Sequence, residues 1–269
     1  MKLGLRVFFV RRLLVLTALS TMLCLLSVPA RAAAPEPTTI RIAIGEWPPY
    51  TSERLNAHGI ASKLITEAFA ASGVEVTYVF YPWNRSLELS RRGGIEATAT
   101  WFESADRRVD FHLSDPLFDS KFLLYYLKDT PITWQKVDDL NGIKIGATTG
   151  YFYGEAFAQA EKSGRITVIR ASSDETNLKN LLLGRLDAFP LDQQVAEFLF
   201  ANEIQAADAA RIGHNAVPVH SRPQHLLISR KAANGEALIR LFNRGLNAIR
   251  SNGTYERIVS DATFSQKKP

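Results

Sequence analysis

Residues 97–116 read ATATWFESADRRVDFHLSDP. The apolar/polar alternation from Ile95 to Thr100 predicts a strand. It breaks at Trp101-Phe102 into a small polar turn that carries Asp106, Arg107 and Arg108. A second apolar segment, Val109 to Leu113, stops at Ser114-Asp115-Pro116. A strand that ends in hydroxyls, aromatics and an arginine makes a polar pocket at its carboxyl end, which is where ligands lie in open α/β sheets. Arginine suits a carboxylate there, because its planar fork makes two parallel charge-assisted hydrogen bonds. The competing reading is a surface turn whose arginines pair with Asp106 and Asp110. This stretch alone leaves both readings open.

Upstream, Ile40 to Ile44 predicts a short strand, followed by Gly45-Glu46-Trp47-Pro48-Pro49-Tyr50. The prolines stop regular structure and leave Trp47 and Tyr50 outside any periodic run, so they are read as pocket-lining rather than core. Ala61, Leu64, Ile65, Ala68 and Phe69 have helical spacing and Gly73 ends that helix. Val74 to Phe80 alternates as a strand, and Tyr81-Pro82-Trp83 opens a short helix through Leu89. The order is β-α-β-α-β, which implies a mostly parallel sheet with helices on its faces.

Downstream, Phe122 to Leu127 predicts a strand, as does Lys144 to Thr148. The latter runs into Thr149-Gly150, with a helix expected to start near Tyr151. A strand, a hydroxyl-glycine turn and a helix N-terminus would together present unpaired N–H groups to an anion. The turn lacks the endings of nucleotide and dinucleotide loops. Ile166 to Arg170 is a strand, and Ser172 with Glu175 is read as a capping box opening a helix with Leu178, Leu181 and Leu182 inside. Asp187 to Asp192 is a strand ending on an acid, and Gln193 to Glu203 a helix. The β-α-β-α-β order therefore occurs twice. Leu226 to Ser229 is a last strand; Leu238, Leu241, Phe242, Leu246 and Ile249 share one face of a last long helix, and Tyr255 to Val259 adds a turn or two.

The chain has 269 residues, but its first 32 read as a secretory signal peptide. A basic start is followed by an apolar run, Leu13 to Val28, and an Ala30-Arg31-Ala32 cleavage pattern. The run is short for a membrane anchor. Five of the 32 basic residues and none of the 27 acidic ones fall in this segment, which leaves 27 of each. The expected mature protein thus has no basic excess to suggest a nucleic-acid partner. The one cysteine, Cys24, lies in the leader after Met22-Leu23, which does not suit lipid attachment. No cysteine nucleophile, disulfide or thiolate metal site is expected beyond it. None of the histidines His58, His112, His214, His220 and His225 has metal-ligand spacing, so neither a metal nor a cofactor is expected.

Five motifs in order carry a resemblance: GEWPPY at 45–50, SADRRVDFHLSDPLF at 104–118, DLNGIKIGATTG at 139–150, GRLDAFPLD at 184–192 and LNAIRSNGTYERI at 246–258. The chain over about 40–264 resembles the extracytoplasmic solute-binding proteins of ATP-driven (ABC) amino-acid importers, bacterial extracellular solute-binding protein family 3. The resemblance implies an α/β, two-lobed periplasmic binding protein fold of type II, each lobe a mixed, mostly parallel sheet flanked by helices. Lobe one would be 40–123 plus 225–264 and lobe two 124–224, joined by hinge crossovers near Leu123–Leu127 and Arg222–Leu226, and closing on a ligand between them.

By the same resemblance, the arginine eight residues before Asp115 holds the ligand's α-carboxylate, which selects Arg107 over Arg108. Thr100, Phe102 and Ser104 would assist from the preceding turn, and Thr149, Gly150 and Tyr151 from the second lobe. Tyr151 stands where the family has a small hydroxyl residue. The α-ammonium would meet Asp192. Gly59-Ile60-Ala61 departs from the aspartate that many members carry, and Trp101 replaces smaller residues. Trp47, Tyr50, Trp83, Trp101 and Tyr151 make an aromatic rim, suited to a cationic or apolar side chain or to lobe packing. The implied function is periplasmic capture of an amino acid or similar zwitterion by a monomer, with delivery to a membrane permease. Two other functions suit this scaffold: a dehydratase-like cleft enzyme, with Glu46, Glu103 or Asp192 as general acid, and a ligand-sensing subunit for a receptor.

Overall fold

The computed structural model describes residues 38–260. The expected leader at 1–32 and the final residues of the expected first lobe, 261–264, lie outside them. The described strands are β1 (Thr38–Ile44), β2 (Val74–Phe80), β3 (Ala97–Phe102), β4 (Phe111–Leu113), β5 (Phe118–Leu127), β6 (Lys144–Thr148), β7 (Thr167–Ala171), β8 (Ala188–Asp192) and β9 (Ile212–Ser229). The helices are α1 (Ile60–Ala70), α2 (Trp83–Arg91), α3 (Ala105–Asp110), α4 (Glu155–Lys162), α5 (Asp174–Leu182), α6 (Gln193–Asn202), α7 (Ala206–Ala210), α8 (Gly235–Ser251) and α9 (Thr254–Ser260). None of these helices is long and apolar enough to cross a membrane.

The sheet order is β2-β1-β3-β9-β5-β8-β6-β7, with β4 also on β9. At one end β2, β1 and β3 are parallel, and at the other β7, β6 and β8 are parallel. These are the two lobes, each a β-α-β-α-β unit whose helices cover the sheet. Between them β5 and β9 run antiparallel from Phe118↔Gln224 to Leu127↔Ile212, and their register shifts beside Leu123. The division expected at 123/124 and 224/225 therefore falls inside these two long strands.

Each lobe has its own apolar core. In the first, Ile40, Ile42 and Ile44 of β1 meet Leu64, Ile65 and Phe69 of α1 and Phe242 of α8. The Phe69 and Phe242 rings lie 5.0 Å apart. Here α1 and α8 pack so closely that a Cβ on Gly245 would stand 1.7 Å from the Ala68 carbonyl oxygen, so only glycine fits. In the second, Ile145, Leu178, Leu181 and Phe189 pack with Phe157 and Leu199.

Several local expectations are corrected. Val109 does not belong with the apolar segment that ends at Leu113: it lies in α3 and is 73% exposed, so an apolar residue on a solvated helix extended the apparent run. Ser173, not Ser172, caps α5 by accepting from the Thr176 N–H. The helix expected near Tyr151 begins at Glu155, behind a Gly154 whose φ of 95° ends the preceding loop. Strand β9 runs from Ile212, far ahead of Leu226, because pairing with β5 holds residues that carry no apolar alternation.

Candidate functional site

Strand β3 brings the site's first residues to the sheet's carboxyl edge. Its pairing with β9 slips between Ala99 and Trp101, and Thr100 takes φ +61°. A β-branched residue is strained there. Thr100 donates from Oγ1 to the Ala99 carbonyl at 2.6 Å. The Trp101 indole N–H donates to Thr98 Oγ1 at 2.8 Å, and its ring meets Trp83 edge-on at 5.4 Å. Ser104 then caps α3 by accepting from the Arg107 N–H at 3.3 Å. This short helix carries the two arginines, and they part company.

The Arg107 guanidinium lies 4.7 Å above the Trp101 ring and donates from Nη1 to the Phe102 carbonyl at 2.5 Å. It forms no ion pair among the described residues, and burial lowers its pKa to about 10. Arg108 instead pairs with Glu103 at 2.5 Å on the exposed surface.

Arg107 lines a narrow cavity of about 40 Å³ with Trp47, Trp83, Thr100, Trp101 and Phe102. Gly150, Tyr151, Phe122, Phe152 and Gln224 complete the wall. That space holds only a few waters. Rings from both lobes border it: Trp47 lies 6.3 Å from Phe122 and 6.3 Å from Tyr151. Gly150 has φ +85°, and a Cβ there would stand 2.9 Å from Asn84 of the other lobe. With the helix start displaced to Glu155, Gly150 contributes a close backbone approach in place of the expected helix N-terminus.

The other sequence-derived residues lie elsewhere. Thr149 donates to the Ala171 carbonyl at 3.0 Å and lines the neighbouring groove. Tyr50 and Asp192 face each other from opposite lobes, the phenol donating to Asp192 Oδ1 at 3.1 Å. Asp192 Oδ1 also accepts from the N–H groups of Gln194 (3.0 Å) and Val195 (3.2 Å), capping α6. Its Oδ2 accepts from Ser120 Oγ at 2.6 Å and Lys121 N at 3.2 Å. Five donors surround this carboxylate, which caps α6, ties the lobes together and does not line the cavity. Burial pushes its pKa up against the effect of those bonds.

The groove beside the cavity encloses about 800 Å³ and shares Trp47, Trp83 and Tyr151 with it. Glu46 and Asp174 also line it. Asp174 is buried, accepts from Thr148 Oγ1 at 2.5 Å and Tyr151 Oη at 3.3 Å, and has no basic partner among the described residues. Burial raises its pKa to about 7.

Sequence reasoning missed three lining residues. Phe122 reads as one more apolar position in a strand, and Phe152 as a neighbour of Tyr151. Gln224 is an amide just ahead of an apolar run, with no pattern to mark it. Its side chain is 2% exposed and its Oε1 has no hydrogen-bond partner among the described residues.

The sequence profile of bacterial extracellular solute-binding proteins, family 3, matches residues 40–262. The lysine/arginine/ornithine-binding periplasmic protein of Escherichia coli (strain K12) is 25% identical over 239 residues, covering 87% of this chain and 91% of that one. An arginine transport-system periplasmic binding protein from Legionella pneumophila superposes with a TM-score of 0.68 at 20% identity, over 83% of this chain and 98% of that one. A histidine kinase sensor domain with similarity to periplasmic binding proteins superposes with a TM-score of 0.71 at 15% identity, over 82% and 94%. These two superpositions show the shared type II fold.

Proposed function

The chain belongs to the bacterial extracellular solute-binding proteins, family 3, and from that premise we propose that it captures an amino acid between its lobes in the periplasm. It works as a monomer, after export and removal of residues 1–32, and hands the ligand to the membrane permease of an ABC importer. The observation that carries this reading is Arg107: a half-buried guanidinium in the inter-lobe cavity with no carboxylate partner among the described residues. A buried cation without a counter-ion is costly, and a ligand carboxylate removes that cost.

The narrowness of the cavity supports a hinge cycle. A space of about 40 Å³ bordered by rings from both lobes admits an amino acid only when the lobes part. Binding rather than catalysis follows from where the candidate acids lie. Glu103 is on the surface with Arg108, Asp192 is enclosed by five donors, and Glu46 lines the neighbouring groove and accepts from the Glu53 N–H. None of them lines the Arg107 cavity.

A thermal-shift screen of the purified protein against the L-amino acids tests this. A ligand at about 100 times its Kd adds about 2.7 kcal/mol, or roughly 5–10 °C for a chain of this size. Stabilisation by at least one amino acid, without its conversion, is the expected result. No shift with any of them, or turnover of the one that binds, contradicts the reading.

A further inference from the structure

Strand β3 changes face just before its end. Up to Ala99 it alternates regularly. Ala97 is opposite Ile228 and Ala99 opposite Leu226, and all four belong to the first-lobe core with residues of α1 and α8. Thr98 faces the other way, opposite Leu227. A period of two would place Trp101 on the face of Ala97 and Ala99. It does not lie there, because Thr100 is an extra residue: Trp101 is opposite His225, the position next to Leu226 on β9. A slip of one residue moves a side chain to the other face. Trp101 therefore shares a face with Thr98 and packs with Phe111 and Leu227. The slip is made by a β-branched residue at φ +61°, a strained conformation that the surrounding structure must support.

The change of face builds a platform. The Trp101 indole N–H donates to Thr98 Oγ1 at 2.8 Å, and Trp83 meets the ring edge-on at 5.4 Å. These two contacts fix the plane of the ring. The Arg107 guanidinium lies 4.7 Å above it, and both residues line the cavity. A guanidinium stacks on indole because it is planar and weakly hydrated. Among the described residues the Arg107 head makes one hydrogen bond, from Nη1 to the Phe102 carbonyl. A single bond at one tip leaves such a fork free to turn, so the indole face is what sets its plane.

We propose that Trp101 is the positioning residue of Arg107: its anchored indole face holds the guanidinium ready for a carboxylate, and the strained slip at Thr100 is what puts that face there. Order set in advance spares part of the cost of binding. This rests on the amino-acid reading above and deepens it.

NMR relaxation of the arginine Nε–H groups in the ligand-free protein reads the arrangement directly. In wild type the Arg107 Nε–H should be as ordered as the backbone and carry the ring-current shift of an indole. Trp101→Leu should abolish both, and Trp101→Phe, which keeps an aromatic face, should retain most of the order. The Arg108 Nε–H, bonded to Glu103 from the same helix, should not change. An Arg107 that is mobile in wild type, or equally ordered in all three proteins, overturns the proposal. So does a matching loss of order at Arg108, which would show that α3 as a whole has loosened. Titration calorimetry with each L-amino acid that stabilises wild type in the screen above is the second arm. Trp101→Leu should weaken binding about 5- to 30-fold and Trp101→Phe by less than about threefold. In an Arg107→Lys background the same Trp101→Leu change should cost less than about threefold. Unchanged affinity, or the same loss with and without Arg107, overturns the proposal. Should Trp101→Leu not fold, Thr98→Val takes its place: it keeps the ring and removes its anchor, so order at Arg107 should fall with Arg108 unchanged, and no fall overturns the proposal. A wild type that binds no amino acid defeats the broader reading instead, and the relaxation arm still decides whether Trp101 holds Arg107.

Discussion

On the first-lobe side of the cavity Arg107 has no counter-ion, and Trp47 Nε1 and Gln224 Oε1 have no hydrogen-bond partner, among the described residues. On the second-lobe side, polar groups are bonded to one another. Thr148 donates from N to Tyr153 Oη at 2.8 Å and from Oγ1 to Asp174, Tyr151 donates to Asp174, and Asp192 is enclosed by five donors. The difference assigns different work to the two lobes. An unpartnered polar group costs stability until a ligand meets it, whereas a bonded one rigidifies its surroundings. On the proposed function, the first lobe and the crossover strand β9 would read the ligand. The second lobe closes over it with aromatic surface and a prebuilt polar frame.

The largest effect on stability is expected where the frame is removed. Asp192→Ala strips the cap from α6 and leaves five donors without their acceptor. Cap loss costs about 0.5–2 kcal/mol and unsatisfied buried donors about 1–3 kcal/mol, so the melting temperature should fall by about 3–20 °C. Asp192→Asn should melt lower than wild type by less, and should weaken an amino acid and its deaminated analogue alike. A selective loss of the amino acid would return Asp192 to the reading side and break the comparison.

Asp174 sharpens it. Its folded pKa of about 7 lies above the unfolded value of about 3.9. Between those values the folded state binds the extra proton, so this group's contribution to stability rises as pH falls through 7 and is lost above it. Asp174→Asn should therefore melt about 2–4 °C above wild type at pH 8, and the gap should narrow as pH falls through 7 and close only near pH 4. A gap that stays constant between those pH values would mean that the carboxylate has a cationic partner in solution.

The smallest effect belongs to Arg108→Ala. Its pair with Glu103 is exposed on both sides, and such pairs are screened by water and salt. Melting and ligand affinity should both match wild type. Loss of binding here would place the ligand on the outer face of α3.

What the sequence shows and hides follows from the same physics. The two β-α-β-α-β units are legible because apolar spacing reports burial directly, as at Leu64, Ile65 and Phe69 of α1. The region of the cavity is legible because strand-end aromatics beside an arginine fit no core pattern. Local boundaries are less so. Val109 is apolar but exposed, and Ser172 and Ser173 offer the same cap to α5. Partner satisfaction is not legible at all. Asp192 ends its strand as expected, yet its donors come from Tyr50, Ser120, Lys121 and its own helix, residues up to 142 positions away. The bulge that sets Thr100 at positive φ and the burial of the Gln224 amide likewise depend on β3–β9 pairing across more than a hundred residues, which no local pattern encodes.

The most direct test is calorimetric titration of the best-stabilising amino acid into wild type and Arg107→Ala, with far-UV circular dichroism to confirm that both are folded. Removing a buried charge that pairs with a ligand carboxylate costs about 2–5 kcal/mol. The account predicts an affinity loss of at least about 30-fold in a protein that melts no lower than wild type. A folded Arg107→Ala that binds the amino acid as tightly as wild type would contradict it.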